Sequence, residues 1–585
     1  MIKRLAECIR EYKRPSWLTS LTVSLEVVME VLIPYITADL IDKGIEQGNL
    51  PVIVKYGIIL LVSAFLVMLF GFLAAKYAAT ASAGLARNLR HDMFYSIQNY
   101  SFTNIDKYSA GGIVTRLTTD VSNVTMAYQM IIRMAVRSPM MLVWSFIFAA
   151  RISLKLSLVF VIMIPVLAIA LAFIMVKAHP LFKRVFKTYD RLNEVVSENL
   201  RGIRVVKTFT REETEKEKFG GISGSIYKDF LKAERILAFN NPVMQGCMYA
   251  TVLIIAWFGA KVIAACGGDG EVAGGLSVGQ LTSLITYASQ ILTSLMMVSM
   301  AFVMIVMSKA SAERVYEILE EKSDIVNPEN PVYDIADGSV TFKNVDFSYS
   351  RDAGKKCLDN VNIHINSGET VGIIGGTGSS KSTFVSLIPR LYDTVSGSVL
   401  VGGVDVRDYD LKALRDNVAM VLQKNQLFSG TIKENLRWGN PEATDEELIH
   451  ACRLACADEF IQTFPEKYDT VIDQGGANVS GGQKQRLCIA RALIKKPKIL
   501  ILDDSTSAVD THTDSLIRKA FREEIPNTTK FIIAQRISSV QDADKIIVLD
   551  DGKISACGTH EYLLENSKVY REVYNSQVKG GKENE

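Results

Sequence analysis

Six apolar segments, each near or beyond the length that crosses a bilayer, occupy the first 310 or so residues and constrain this chain more than any other feature. A span takes about 20 mainly apolar residues, and lipid offers no partner to a bare backbone, so such segments must fold as helices. They run roughly 17–41, 53–78, 129–150, 156–177, 241–265 and 277–307. The first, third and fifth connections are short: DKGIEQGNLP, RISLK and CGGDGEVAGG. The second and fourth, near 79–128 and 178–240, are long, charged and helically periodic. Counting Lys and Arg puts both long connections and both termini in the cytoplasm, with Arg151 and Lys155 as a mild exception outside. The basic start, MIKRLAECIREYKRPSW, is expected to lie flat as a cytoplasmic lead-in with Trp17 at the interface, not to act as a signal peptide.

Bulk composition hides this division: 48% hydrophobic, 22% charged, net charge +2. A balance so close to neutral gives no reason to expect nucleic acid. The eight cysteines are scattered; Cys452 and Cys456 lie on one helical face without a second Cys or His pair, and read as small buried hydrophobes, not zinc ligands. After the sixth span, KASAERVYEILEE continues as an amphipathic helix, and SDIVNPENPVYDIADG has the composition of a linker. From about 339, short β-rich runs alternate with helices: VTFKNVDFSYS, ETVGIIGG, KILILDD, TKFIIAQR, KIIVLDDGKI. The expected architecture is multidomain: an all-α six-helix transmembrane domain at 1–310, a linker at 311–338, and an α/β P-loop nucleotide-binding domain at 339–580.

The strongest single motif is VGIIGGTGSSKSTFV. An apolar strand enters Gly375, Gly376, Thr377, Gly378, Ser379, Ser380, Lys381 and Ser382, and a helix carrying Thr383 follows. Small residues let successive N–H groups curl around the phosphates of ATP; Lys381 reaches the β and γ oxygens, and the Ser382 hydroxyl holds Mg2+. The strict pattern has glycine before the lysine, where this chain has Ser380. KILILDD ends a strand on Asp503, the expected magnesium partner, and Asp504.

ANVSGGQKQR, at 477–486, resembles the signature sequence of ATP-binding cassette (ABC) transporters, usually LSGGQ. Val479 makes a mild apolar exchange, and Ser480, Gly481, Gly482 and Gln483 match. The resemblance extends over essentially the whole chain and implies further roles. Tyr349 is similar to the aromatic that stacks on adenine, and Gln423 to the glutamine that touches magnesium and reports to the membrane domain. Ser507, Ala508, Val509 and Asp510 resemble the D-loop that crosses to the partner subunit. Six spans with two long cytoplasmic excursions match the exporter branch, which implies a multi-pass protein of the cell membrane. Segments near 104–118 and 208–219 are expected to break the excursions and touch the ATPase domains.

Two departures bear on mechanism. Hydrolytic members carry glutamate after the magnesium aspartate, where this chain has Asp504, and histidine at the switch position, where it has Gln535. With Ser380 these substitutions cluster at one composite site, while the signature stays nearly intact. The chain thus resembles the degenerate half of a bacterial heterodimeric multidrug exporter: its own site binds ATP and hydrolyses it weakly, and its SGGQ completes the site of a non-identical partner bearing Glu and His. Related exporters commonly carry an acidic residue near Gln474, a position that is glutamine in this chain.

In the first span Glu26 and Glu30 share a helical face. Acids there face a cavity or a partner; they attract cationic cargo, or they pair with Arg133 or Arg137. Met296, Met300, Met304 and Met307 follow helical spacing in the sixth span, as an adaptable cargo surface or as an ordinary apolar stripe. These residues favour a small amphipathic substrate taken from the bilayer, with lipid or peptide export and a homodimer as alternatives. An ATP-gated channel or regulatory subunit is the competing class, and no long regulatory insert supports it. Importers usually keep the ATPase on a separate chain.

Overall fold

The computed structural model describes residues 1–266, 275–349, 356–504 and 509–582. Most of the third short connection, together with Ser507 and Ala508 of the D-loop, lies outside the described residues. The chain forms two compact units, one of Met1–Gln98 with Ala110–Glu321, the other of Asn99–Ser109 with Lys322–Glu585. The first unit therefore runs past the expected boundary at 310. The last span helix, Val278–Glu320, continues through KASAERVYEILE because no breaker interrupts it.

Among the described residues, 6 helices are long and apolar enough to cross a membrane. Several extend far beyond a bilayer: Leu50–Gln98 and Leu154–Arg201 carry their charged excursions as unbroken helix. The first excursion breaks at Asn99–Ser109, where a short helix, Phe102–Lys107, begins with a reciprocal Ser101–Asn104 cap. In the second, Gly202 interrupts the helix, Ile203–Thr208 is helical again, and the non-helical residues Phe209–Arg211 fall at the start of the expected 208–219. Residues 212–219 are helical because Glu212, Glu213 and Glu215 fill the first turn of Glu212–Leu237, where the helix dipole favours negative charge.

Polar contacts tie the first span helix, Lys13–Leu40, to the last. Pro34 interrupts the hydrogen-bond ladder of the first helix. Near it, the Tyr287 hydroxyl donates to the Val31 carbonyl at 2.8 Å and the Ser283 hydroxyl to the Pro34 carbonyl at 2.6 Å. Asp42 accepts from the Ser277 hydroxyl and, at 2.8 Å, from the Gly279 N–H, which places a carboxylate on the N-terminus of the last helix. Gly279 permits this approach, since a Cβ there would lie 2.5 Å from the Ala38 carbonyl. At the start of the chain, the Tyr12 ring packs on Gly84, Asn88 donates to the Cys8 carbonyl at 2.9 Å, and Arg10 pairs with Asp92 at 2.8 Å.

The second unit contains twelve strands among its described residues: β1 (Val340–Phe347), β2 (Leu358–Ile365), β3 (Thr370–Ile374), β4 (Ser396–Val401), β5 (Val404–Asp405), β6 (Val418–Val421), β7 (Gly430–Thr431), β8 (Val471–Ile472), β9 (Ile499–Asp503), β10 (Thr529–Ile533), β11 (Lys545–Asp550) and β12 (Lys553–Gly558). One sheet has the order β2-β1-β4-β5 and is antiparallel. A second has the order β12-β11-β3-β10-β9-β6 and is parallel except at the β12 edge, and β7 pairs with β8 in a two-stranded third. The central strands of the second are largely apolar, as expected of strands covered on both faces; β9 and β10 are buried throughout, including Thr529 and Lys530 of β10. Cys452 is fully buried in the apolar core beside this sheet, and Cys456 packs against it.

Asp42→Ala should lower the stability of the detergent-purified protein by about 1–2 kcal/mol, the usual loss for a charged helix cap. Gly279→Ala should cost more because its contact is with backbone. Thermal melting reads both.

Candidate functional site

The parallel sheet decides where the motif residues go. Adjacent strands β6, β9, β10 and β3 run the same way, with Asp503 opposite Ile533 and Phe531 opposite Val371. Their carboxyl ends thus deliver Gln423, Asp503–Asp504, Gln535 and the glycine-rich loop to one edge, the usual ligand side of such sheets.

The loop from Gly375 to Ser380 leads into the helix Lys381–Ser386. Gly375 is obligatory for packing, because a Cβ would lie 2.2 Å from the Leu549 carbonyl. A Cβ on Gly376 or Gly378 would meet nothing within 4 Å, so the loop is open around these two residues. Gly378 has φ +82 and Ser380 has φ +69, so the serine occupies the left-handed region that the usual glycine occupies without strain. Lys381 folds back over the loop, donating to the Gly375 and Gly376 carbonyls, each at 2.8 Å. Burial holds its amine below the ordinary lysine value, opposed by Asp503 and Asp504.

The Ser382 hydroxyl donates to Asp503 Oδ1 at 3.0 Å. Burial pushes the Asp503 carboxyl up, with the Ser382 bond acting the other way. The buried Asp503 carboxylate and the Ser382 hydroxyl beside it are hard oxygen donors of the kind that suits Mg2+. Asp504 is buried, with φ +47, and its N–H donates to the Ile533 carbonyl at 3.1 Å. Its Oδ2 accepts from Gln535 Nε2 at 2.6 Å and from Gln423 Nε2 at 3.3 Å. Gln423, expected on magnesium, therefore meets Asp504 here.

Tyr349 is half exposed, and its hydroxyl is 3.0 Å from that of Thr383, which brings the expected adenine-stacking ring to the phosphate-loop helix. Sequence reasoning missed what lies behind it. Tyr392 packs edge-on to Tyr349, with ring centroids 5.1 Å apart, and its hydroxyl donates to Asp106 at 2.7 Å. Phe347 stands edge-on to Tyr349. Nothing in LYDTVSG marks Tyr392 for this position; a long-range fold alone supplies its neighbours.

The signature residues lie away from these groups in sequence, at the start of the helix Gly481–Ile494. Ser480 and Gln483 form a reciprocal cap: Gln483 N–H donates to Ser480 Oγ at 3.3 Å, and Ser480 N–H to Gln483 Oε1 at 2.9 Å. Gly481 remains exposed and Val479 packs on the core. Of the described D-loop residues, Val509 is buried and Asp510 caps the helix Thr511–Glu524, accepting from Thr513 N–H at 2.9 Å.

In the first unit, Arg137 bridges the two span acids, binding Glu26 and, at 2.6 Å, Glu30. Glu26 is buried, and its second oxygen has no hydrogen-bond partner among the described residues. On this chain Met300 and Met307 are exposed, and Met296 and Met304 half-buried.

The profile of the ABC transporter transmembrane region matches residues 18–308, and the ABC transporter profile matches 358–507. An uncharacterised ABC transporter ATP-binding protein of Mycobacterium tuberculosis is 35% identical, over 99% of this chain and 98% of its own length. The putative multidrug export ATP-binding/permease protein YgaD of Bacillus subtilis is 30% identical over 99% of both. Among solved structures, a bacterial Atm1-family ABC exporter with ATP bound superposes with a TM-score of 0.81 at 25% identity, covering 97% of this chain and 99% of that one.

Ser380→Gly should raise stability by about 1 kcal/mol through relief of the left-handed strain, measured by thermal melting. Mg·ATP affinity should fall on acidification at a pH above the ordinary aspartate value of about 4, as the raised Asp503 carboxyl takes up a proton. Titrating ATP binding from pH 8 to about 5 against Asp503→Asn, which should lack that slope, checks the assignment.

Proposed function

Because the chain belongs to the ATP-binding cassette transporters, with an exporter's membrane and ATPase parts on one polypeptide, we propose that it is one half of a heterodimeric exporter of amphipathic compounds. Its own ATP site binds nucleotide and turns it over slowly. The observation that carries this reading is the state of Asp504. The water-polarising position holds the shorter acid, and its Oδ2 already accepts two amide hydrogens, from Gln535 and Gln423. A base displaced by about 1 Å loses on the order of 100-fold in rate. Gln535 donates a hydrogen bond to a phosphate oxygen but has no charge and no proton to shuttle.

The signature side supports the same asymmetry. Ser480 and Gln483 cap one another, which uses the Gln483 N–H and leaves the Gly481 and Gly482 N–H groups and the helix dipole to a γ-phosphate held on a partner's loop. The partner in this reading carries Glu and His at the positions of Asp504 and Gln535. For the cargo, Arg137 between Glu26 and Glu30 leaves one excess negative charge when all three are ionised. A buried excess charge favours a neutralising cation. The multidrug designation of the Bacillus subtilis relative accords with amphipathic cargo.

The purified chain alone, in nanodiscs, should hydrolyse ATP about 100-fold more slowly than the assembled pair. Glu→Gln in the partner should silence the pair. Robust turnover by a homodimer of this chain would overturn the asymmetric reading. Glu26→Gln with Glu30→Gln should reduce export of cationic dyes while sparing neutral ones; equal loss for both overturns the cationic assignment.

A further inference from the structure

The helix near the C-terminus, Lys568–Lys582, makes a contact that none of the sequence motifs account for. The Gln577 side chain reaches the segment that follows β10. Its Nε2 donates to the Gln535 carbonyl at 2.8 Å, and its Oε1 accepts from the Ile537 N–H at 2.9 Å. The amide thus straddles Arg536 and bonds the backbone on both sides of it, much as a neighbouring strand would. This segment lies beyond the β10 ladder, which ends at Ile533, so the sheet does not supply these two bonds. The side chain of the same Gln535 donates to Asp504 at 2.6 Å.

The helix is anchored independently of Gln577. Tyr570 is fully buried, its hydroxyl 2.7 Å from His560 Nδ1, and Arg571 donates to the Leu564 carbonyl at 2.7 Å. Val573 and Tyr574 pack on the apolar core. Gln577 therefore projects from a fixed support, and both of its bonds act on the backbone that carries the Gln535 side chain. Gln577 is itself exposed, so each bond contributes modestly to global stability. Its effect falls on the local geometry of the switch.

We propose that Gln577 is a positioning residue for the ATP site: it sets where the Gln535 amide sits, and it makes the C-terminal helix part of the switch. It touches no nucleotide and acts through the backbone at Gln535 and Ile537. The proposal rests on the reading of Gln535 as the γ-phosphate contact. Only ATP has that phosphate, so loss of the clamp should weaken ATP more than ADP.

The test measures Kd for Mg·ATP and Mg·ADP on the full-length chain in nanodiscs, for wild type, Gln535→Ala, Gln577→Ala and the double variant. Gln577→Ala should weaken ATP about three- to tenfold, the range set by one or two modest hydrogen bonds, and leave ADP nearly unchanged. The double variant should bind ATP no more weakly than Gln535→Ala alone, because both changes act on one contact. ATP and ADP weakening equally, additive losses, or wild-type ATP affinity in Gln577→Ala each overturn the clamp. If Gln535→Ala leaves ATP affinity unchanged, the γ-phosphate reading fails and the clamp with it; if it weakens ATP while Gln577→Ala does not, only the clamp fails. Should Gln577→Ala not fold, Gln577→Glu decides by the same criteria. It retains the acceptor for Ile537, but sets a carboxylate against the Gln535 carbonyl.

Discussion

Four parallel strands in hydrogen-bonded register hold the nucleotide site together. Neighbours in β6-β9-β10-β3 are fixed residue against residue, so their carboxyl ends cannot shift singly. Gln423, Asp503, Asp504, Gln535 and the loop before Lys381 come from distant stretches of chain, and the ladder sets their spacing. The residues below them are almost wholly apolar and buried. Any slip in register would turn every side chain of a strand to the opposite face. That penalty protects the polar residues above it.

The polar edge is accordingly small and highly connected. Lys381 closes on the loop carbonyls, Ser382 on Asp503, and two amides on Asp504. Groups taken out of water need partners, and here they use one another. A bound nucleotide would have to replace those bonds with its own. Occupancy would thereby be sensed by residues that belong to different strands, and through Gln577 by the C-terminal helix. The Tyr349–Tyr392–Asp106 contacts extend the same edge to the segment Asn99–Ser109, which returns from the span helices to pack with the ATPase fold.

The first unit follows a different logic. Between apolar helices, packing alone discriminates poorly, so polar contacts and small residues fix the register. Asp42 at the N-terminus of the last helix, Tyr287 and Ser283 on carbonyls near Pro34, and Arg137 between Glu26 and Glu30 serve that purpose. Gly279 and Gly84 are small because backbone or a ring sits where a side chain would be.

The sequence by itself determined the helical spans and the switch to β-α alternation, and it carries the phosphate-loop, Asp503 and SGGQ motifs, because each depends on local period, length or a contiguous pattern. It also showed that Asp504 and Gln535 depart from the hydrolytic pattern. It left open whether Glu26 and Glu30 are paired, and it placed the second break at 208–219, where only Phe209–Arg211 are non-helical. Only the tertiary structure decided that Arg137 takes both acids, that Gln423 and Gln535 converge on one oxygen of Asp504, that Tyr392 backs Tyr349, and that Gln577 grips the switch. The physical reason is the same in each case. These contacts join residues far apart in the chain, and side-chain partnership across such distances is set by strand register and helix packing, which no local pattern encodes.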